Sequence, residues 1–269
     1  MANGVRRQNV VISPVIGALA PIAADLAAVE RRLEAVSRVK HPLLRGIVEE
    51  TLATAGPRLR AAATVASARL FGEATANVVN MAAAIELVHA ALLLHGDVAD
   101  QNGDGRGRRV VANAVTILVG DYLLAQAAVA ATDVDNLRVM HLFTDAIQTV
   151  CAGRIHARMH TADGVVESGN RAPTAFGPGP SAALFELACQ TGAILGEATL
   201  AQTEALRRCG ASLGLAFQHA QAAEHRDGCG HREAQAIAAD VAQALEVVPP
   251  GVMRDLLAGL RLHVAEGGV

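Results

Sequence analysis

AIELVHAALLLHGDVADQNGDGRGRRVVANAVTILVGDYLL, residues 84–124, decides how the rest of the chain is read. Two apolar segments flank a short polar insert. The first segment carries Glu86, His89, His95, Asp97 and Asp100. The insert carries Asp104, Arg106, Arg108 and Arg109, and the second segment holds Asp121 in an otherwise apolar run. Helical spacing sets His89, Gly96 and Asp100 on one face, with Asp97 three residues before Asp100. Carboxylates, a basic loop and a buried-looking aspartate then meet at the end of one helix. Such a grouping suits a magnesium-bridged anion. Mg²⁺ takes one or two carboxylates plus substrate phosphates, and arginine grips phosphate oxygens through two parallel hydrogen bonds. The same residues also read as a capped helix end with a solvated charged loop. Residue types and spacing alone leave both readings open.

Composition sets the frame around this stretch. The 269 residues suit one helical domain, 1–269, and 52% of them are hydrophobic against 18% charged, enough for a large core. Aromatics make up 2%, with no Trp and one Tyr, so the core must be Ala, Leu and Val in helices packed closely through small residues. A net charge of −3 argues against a nucleic-acid surface. Cys151, Cys189, Cys209 and Cys229 show no C-x-x-C spacing and read as reduced thiols, neither a zinc site nor a disulfide frame. The start of the sequence lacks the pattern of an export signal, so a cytoplasmic location is expected. Residues 110–131 are apolar enough to raise a membrane question. Asn113, Asp121 and Gln126 interrupt them, and a central Asp is costly in lipid, so a fully buried bundle helix is expected and no membrane span.

Apolar spacing by three and four recurs throughout, with no period-two run, which predicts an all-α protein. Ser13-Pro14 opens a stripe through Leu19, Ile22, Leu26, Val29 and Leu33. Pro42 opens another through Leu43, Leu44, Ile47, Val48 and Leu52. Further helices are expected over 61–72, 76–95, 110–131, 134–162 and 182–195, with a Gly/Pro-rich loop at 163–180. Two more are expected around Pro249-Pro250-Gly251. His156 and His160, and separately His225, Cys229 and His231, have spacings a metal could use, but no H-E-x-x-H accompanies them. They read as polar helix face and loop.

The quoted stretch resembles the first aspartate-rich region of the polyprenyl synthetase family, the trans-isoprenyl diphosphate synthases. That pattern runs E-x-x-H, L-L-H-D-D-x-x-D, R-R-G-R and L-V-G-D-Y/F-L. Here it appears as Glu86, His89, Leu93-Leu94-His95, Asp97, Asp100, Arg106-Gly107-Arg108 and Leu118-Val119-Gly120-Asp121-Tyr122-Leu123. Residues 182–195, AALFELACQTGAIL, and 206–218, LRRCGASLGLAFQ, resemble later family phrases. The departures are as specific. Gly96 stands at the first Asp of D-D-x-x-D, and Gly105 at the first of two adjacent Arg. Pro57 takes the Lys of G-K-R-x-R-P, leaving Arg58 and Arg60. Arg154 and Ala157 replace the polar residues of G-E-x-x-Q, and Pro180-Ser181 replaces a K-T pair. Gln221, Ala222, Ala223, Glu224 and His225 fill the second aspartate motif, with no Asp among them.

The resemblance implies an isoprenoid-synthase-type bundle of ten or more helices around a central cavity. It implies enzymes, typically dimeric, that ionise an allylic diphosphate with Mg²⁺ held by two facing aspartate motifs, so that electrostatics supply the catalysis. For this chain it implies a diphosphate site at Arg58, Arg60, His89 and Arg106, and weak Mg²⁺ binding at Asp97 and Asp100. The expected function is a catalytically degenerate homologue in isoprenoid biosynthesis. It would serve as the non-catalytic or regulatory partner of an intact prenyl diphosphate synthase subunit, or form a homodimer. Two alternatives stand beside it: an active prenyl diphosphate transferase or terpene cyclase using Asp97, Asp100 and Glu224, and a prenyl-lipid binder. Ala91 is small where relatives place bulky residues that stop chain growth, so this chain would supply no such block.

Overall fold

The computed structural model describes residues 19–100, 108–162, 179–224, 241 and 243–265. Among these, every regular element is helical. A short 3-10 turn, Ala20–Ile22, leads into α1 (Ala23–Val36). Then come α2 (Pro42–Thr54), α3 (Leu59–Arg69), α4 (Ala76–Asp100), α5 (Arg108–Thr132), α6 (Leu137–Ala162), α7 (Pro180–Leu195) and α8 (Leu200–Glu224). A second 3-10 turn, Leu245–Val247, precedes α9 (Val252–Ala265). The all-α expectation holds, with nine α-helices and two 3-10 turns among the described residues. Ser13-Pro14 and most of the 163–180 loop lie outside them.

Local chemistry fixes several helix starts. Pro42 and Pro180 occupy first-turn positions, where the missing N–H costs nothing. The Asn136 side chain accepts from the Val139 N–H at 3.1 Å at the head of α6. Thr199 and Gln202 form a reciprocal capping box before α8. The Gln202 N–H donates to Thr199 Oγ1 at 3.3 Å, and the Thr199 N–H to Gln202 Oε1 at 3.0 Å.

α3 is the axis of the fold. Every residue from Leu59 to Ala68 is buried. Its neighbours approach to backbone distance because glycines let them. A Cβ on Gly192 of α7 would meet the Thr64 carbonyl oxygen at 2.3 Å, and one on Gly196 would meet that of Ala68 at 2.6 Å. α8 repeats the device against α7: Cβ atoms on Gly210 and Gly214 would meet the Phe185 carbonyl oxygen at 2.3 Å and the Ala182 Cα at 2.4 Å. Both pairs are spaced i, i+4, so each lines one helix face. Close packing through small residues is thus realised, and Phe143 and Phe185 are the largest fully buried side chains.

α5 departs from expectation. By length and composition, Ala76–Gly96 and Asn113–Thr132 could each cross a membrane, and 67% of the first is buried against 33% of the second. α4 is therefore a core helix, whereas α5 is not fully buried. Its outward face shows Ile117, Leu118 and Val129, with Leu118 66% exposed. α5 lies chiefly against α4, so only one side of it is covered. Asp121 lies on the open side, 59% exposed, and is not the buried aspartate the sequence suggested.

Candidate functional site: the buried charges at the start of α3

The connection from α2 to α3 turns sharply. Gly56 has φ 92°, and Arg58, which caps α3, sits in the left-handed region at φ 58°. For a residue with a Cβ this conformation costs roughly 1–2 kcal/mol. Arg58 is held there by its own guanidinium. Nε donates to Glu30 Oε1 at 2.7 Å, and Nη2 donates to the Leu52 carbonyl at 2.6 Å. Arg58 thereby ties α1 and α2 to the head of α3, and those nitrogens are committed to protein acceptors.

Arg60, two residues on, turns inward and is 4% exposed. Its guanidinium carbon lies 5.0 Å from the centroid of Phe185 and 5.4 Å from that of Phe217, stacked in the field of two ring faces. Glu86 of α4 is 1% exposed, and its Oε1 accepts the Ala61 N–H at 2.9 Å. Ala61 lies in the first turn of α3, so a carboxylate from another helix satisfies a free N–H there and complements the helix dipole. Arg60 Nε and Glu86 Oε2 are buried without a hydrogen-bond partner among the described residues. Burial lowers the Arg60 pKa while Glu86 opposes the shift. Burial raises the Glu86 pKa while Arg60 and the Ala61 N–H oppose it. The two charges sustain each other through space.

His89 lies one turn after Glu86 and hydrogen-bonds the backbone of Ala55. Burial first, and then the nearby positive charges of Arg60 and Arg58, push its pKa down to about 2. It is a neutral imidazole at physiological pH. Arg58, Arg60 and His89 lie close enough to act on one another electrostatically, and one of the three is uncharged.

Several of the other sequence-derived positions lie outside the described residues or side chains. Asp97 and Asp100 end α4, with their side chains outside the described residues, and Arg106 lies outside them altogether. Glu224 is the last residue of α8, its side chain likewise undescribed. His95 turns away to α5, where Nε2 lies 3.2 Å from the Ile117 carbonyl and 3.4 Å from Asp121 Oδ1. Arg154 of α6 reaches back to α4, its Nη1 donating to the Leu92 carbonyl at 2.6 Å. Among the described residues no three of His, Cys, Asp and Glu are grouped to hold a metal. Sequence reasoning gave Phe185 and Phe217 no role at the site. Their phrases, ALFELA and LAFQ, marked helix positions but not the guanidinium between them.

An all-α bundle with a buried arginine–carboxylate pair at the head of its central helix is the class that fold and site define. Residues 41–221 match the polyprenyl synthetase family. An octaprenyl diphosphate synthase from Haemophilus influenzae is 32% identical over 167 residues, covering 61% of this chain and 50% of that protein. The chain thus spans about half the length of this curated relative. A decaprenyl diphosphate synthase from Rhodobacter capsulatus superposes with a TM-score of 0.80 at 24% identity, over 94% of this chain and 99% of the other. A polyprenyl synthase from Caulobacter crescentus, complexed with calcium and isoprenyl diphosphate, also gives 0.80 at 24% identity, over 93% and 98%. The chain belongs to the polyprenyl synthetase family.

Proposed function

We propose that this chain is a catalytically degenerate prenyl diphosphate synthase homologue in isoprenoid biosynthesis, acting as the non-catalytic partner of an intact synthase subunit. Ionising an allylic diphosphate requires strong neutralisation of the departing diphosphate. Relatives supply it from paired aspartate motifs. This chain keeps Asp97 and Asp100 of the first but has Gly96 in place of its leading Asp, and at the second only Glu224 is acidic. The resemblance leaves Arg58, Arg60, His89 and Arg106 as the diphosphate positions, although Arg60 is buried and His89 is neutral in this fold.

The observation that carries the partner reading is the open face of α5. Its outward stripe runs through Ala114, Ile117, Leu118, Asp121, Ala125 and Val129, apolar except at Asp121. Contiguous apolar surface of this kind marks an interaction site. An intact homologue would present the complementary helix, and a second copy of this chain is the competing occupant. Co-expression with an intact synthase from the same cell, followed by size-exclusion chromatography and product analysis with labelled isopentenyl diphosphate, tests this. A stable mixed complex with altered product length or rate is expected. A chain that elutes alone beside an unaffected synthase refutes it.

The second reading is a working enzyme, favoured by the retained Asp97 and Asp100. Robust elongation by the lone chain would establish it.

A further inference from the structure

Cys189 of α7 and Cys209 of α8 are fully buried, in no disulfide, and take no part in the site described above. The packing of the two helices brings them together. A Cβ on Gly214 would meet the Ala182 Cα, and one on Gly210 the Phe185 carbonyl oxygen. One turn back along α8 thus corresponds to one turn forward along α7, an antiparallel register. Carried further, that register sets the residues just before Gly210 beside the turn of α7 that follows Phe185. Cys209 and Cys189 stand there, and their thiols share a hydrogen bond across the interface. A disulfide needs Cα atoms within about 7 Å, whereas helices spaced by ordinary side chains lie about 8–10 Å apart. Here backbone meets side-chain-free backbone, so α7 and α8 approach more closely than that.

The closed fold protects the pair. The reactive form of cysteine is the thiolate. The hydrogen bond with Cys189, and burial after it, push the Cys209 thiol well above its usual range, so it stays protonated. Burial also keeps solutes from both sulfurs. Both protections lapse when α7 and α8 part.

We infer that Cys189 and Cys209 are a latent redox pair, reduced while α7 and α8 are closed and joined as a disulfide by a peroxide once the helices part. One thiolate attacks a peroxide oxygen and becomes a sulfenic acid, and the other peroxide oxygen leaves as water. The second thiolate attacks the sulfenic sulfur, the S–S bond forms, and hydroxide leaves and takes up a proton. Two thiols and one peroxide give one disulfide and two waters. The bond bears on the buried arginine. Phe185 lies one turn before Cys189 and Phe217 two turns after Cys209, with ring centroids 5.7 Å apart. Linking α7 to α8 fixes the spacing of the two rings that stack on Arg60.

The test uses the full chain carrying Cys151→Ser and Cys229→Ser, which leaves only the buried pair, with folding checked by circular dichroism. Hydrogen peroxide is added with and without sub-denaturing urea, free thiols are then alkylated, and peptides are read by mass spectrometry. The peptides of Cys189 and Cys209 should be linked, at least about tenfold faster in urea, because opening gates the reaction. The linked chain should unfold at a urea midpoint about 1 M higher, as a cross-link closing a loop of about 20 residues implies, and dithiothreitol should reverse the shift. With Cys189→Ser added, the Cys209 sulfenic acid has no resolving thiol and should be trapped by dimedone. The wild-type chain, oxidised alike, is read by the same linked peptides, so the result does not hang on the replacements folding. Oxidation to sulfinic acids without linkage overturns the inference. Equal rates with and without urea overturn it, because the closed fold would then not be the guard. A linked chain with a lowered midpoint overturns it as well, because α7 and α8 would not close around the bond.

Discussion

Glu86→Gln keeps the shape of the side chain and its acceptor for the Ala61 N–H, and removes only the charge. That charge faces Arg60, which is 4% exposed and has Nε buried without a hydrogen-bond partner among the described residues. Glu86 opposes the burial shift of Arg60 through space, so removing its charge leaves a buried guanidinium less compensated and should cost up to about 3 kcal/mol. Arg60→Met should cost a similar amount, part of it the stacking on Phe185 and Phe217, worth about 0.5–2 kcal/mol. In the double variant neither charge is left alone. Its loss should fall short of the sum of the single losses by more than about 1 kcal/mol, the coupling expected of groups in one network. Urea unfolding followed by far-UV circular dichroism measures all three. Additivity within about 0.5 kcal/mol would refute the pairing. Glu86 would then be a neutral cap on α3, and Arg60 would be held by the two rings alone.

Glycine substitutions should change sign with their surroundings. Gly192→Ala drives a Cβ into the Thr64 carbonyl oxygen and should destabilise by about 1–3 kcal/mol. Gly153→Ala, with open space around its Cβ position, should stabilise α6 by up to about 1 kcal/mol in the same denaturation assay. The His89 ring is held neutral down to about pH 2 in the fold but protonates near 6.5 when unfolded. The unfolded chain therefore binds the extra proton. The stability His89 contributes is complete above pH 6.5 and falls by about 1 kcal/mol per unit as pH drops below it. His89→Gln should flatten that slope in denaturation measured from pH 7 to 5. Leu118→Glu, on a position 66% exposed, should leave the circular dichroism spectrum unchanged and abolish the mixed complex on size exclusion. The lone wild-type chain should give no measurable condensation product with labelled substrates and Mg²⁺.

Helix existence was legible wherever apolar residues recur by three and four, and Pro42 marked a helix start to the residue. The exposure of α5 was not. Composition reports how apolar a segment is, not how many of its sides meet a neighbour, and α5 is apolar on a side that this chain leaves open. Arg58 and Arg60 looked like equals in the sequence. The left-handed turn at Arg58 separates them, sending one guanidinium outward to Glu30 and the other inward to the phenylalanines. His89 read as part of an anion-binding set, but burial, reinforced by two neighbouring guanidiniums, removes its charge. Arg154 was visible only as a departure from a pattern. That it lies against Gly96, itself a departure, is a relation between α4 and α6 that spacing along the chain does not encode.

The two glycine pairs divide the molecule mechanically. α7 is held on one side by α3 and on another by α8, in each case with backbone against side-chain-free backbone. Such surfaces have no long rotamers to rearrange, so they slide or part only as whole units. α3, α7 and α8 form a stiff slab. α5 and α6 lack these interlocks, and their outer faces carry Leu118, Leu137, Ile155 and Met159 in the open. Amide protons in the slab should be released only by global unfolding, while those of α5 and α6 escape through smaller openings. Arg60 is rooted in the stiff part and Arg154 in the loose one. A partner docked on the open face of α5 would therefore meet the loose part of the molecule, while the buried Arg60 stays with the stiff one.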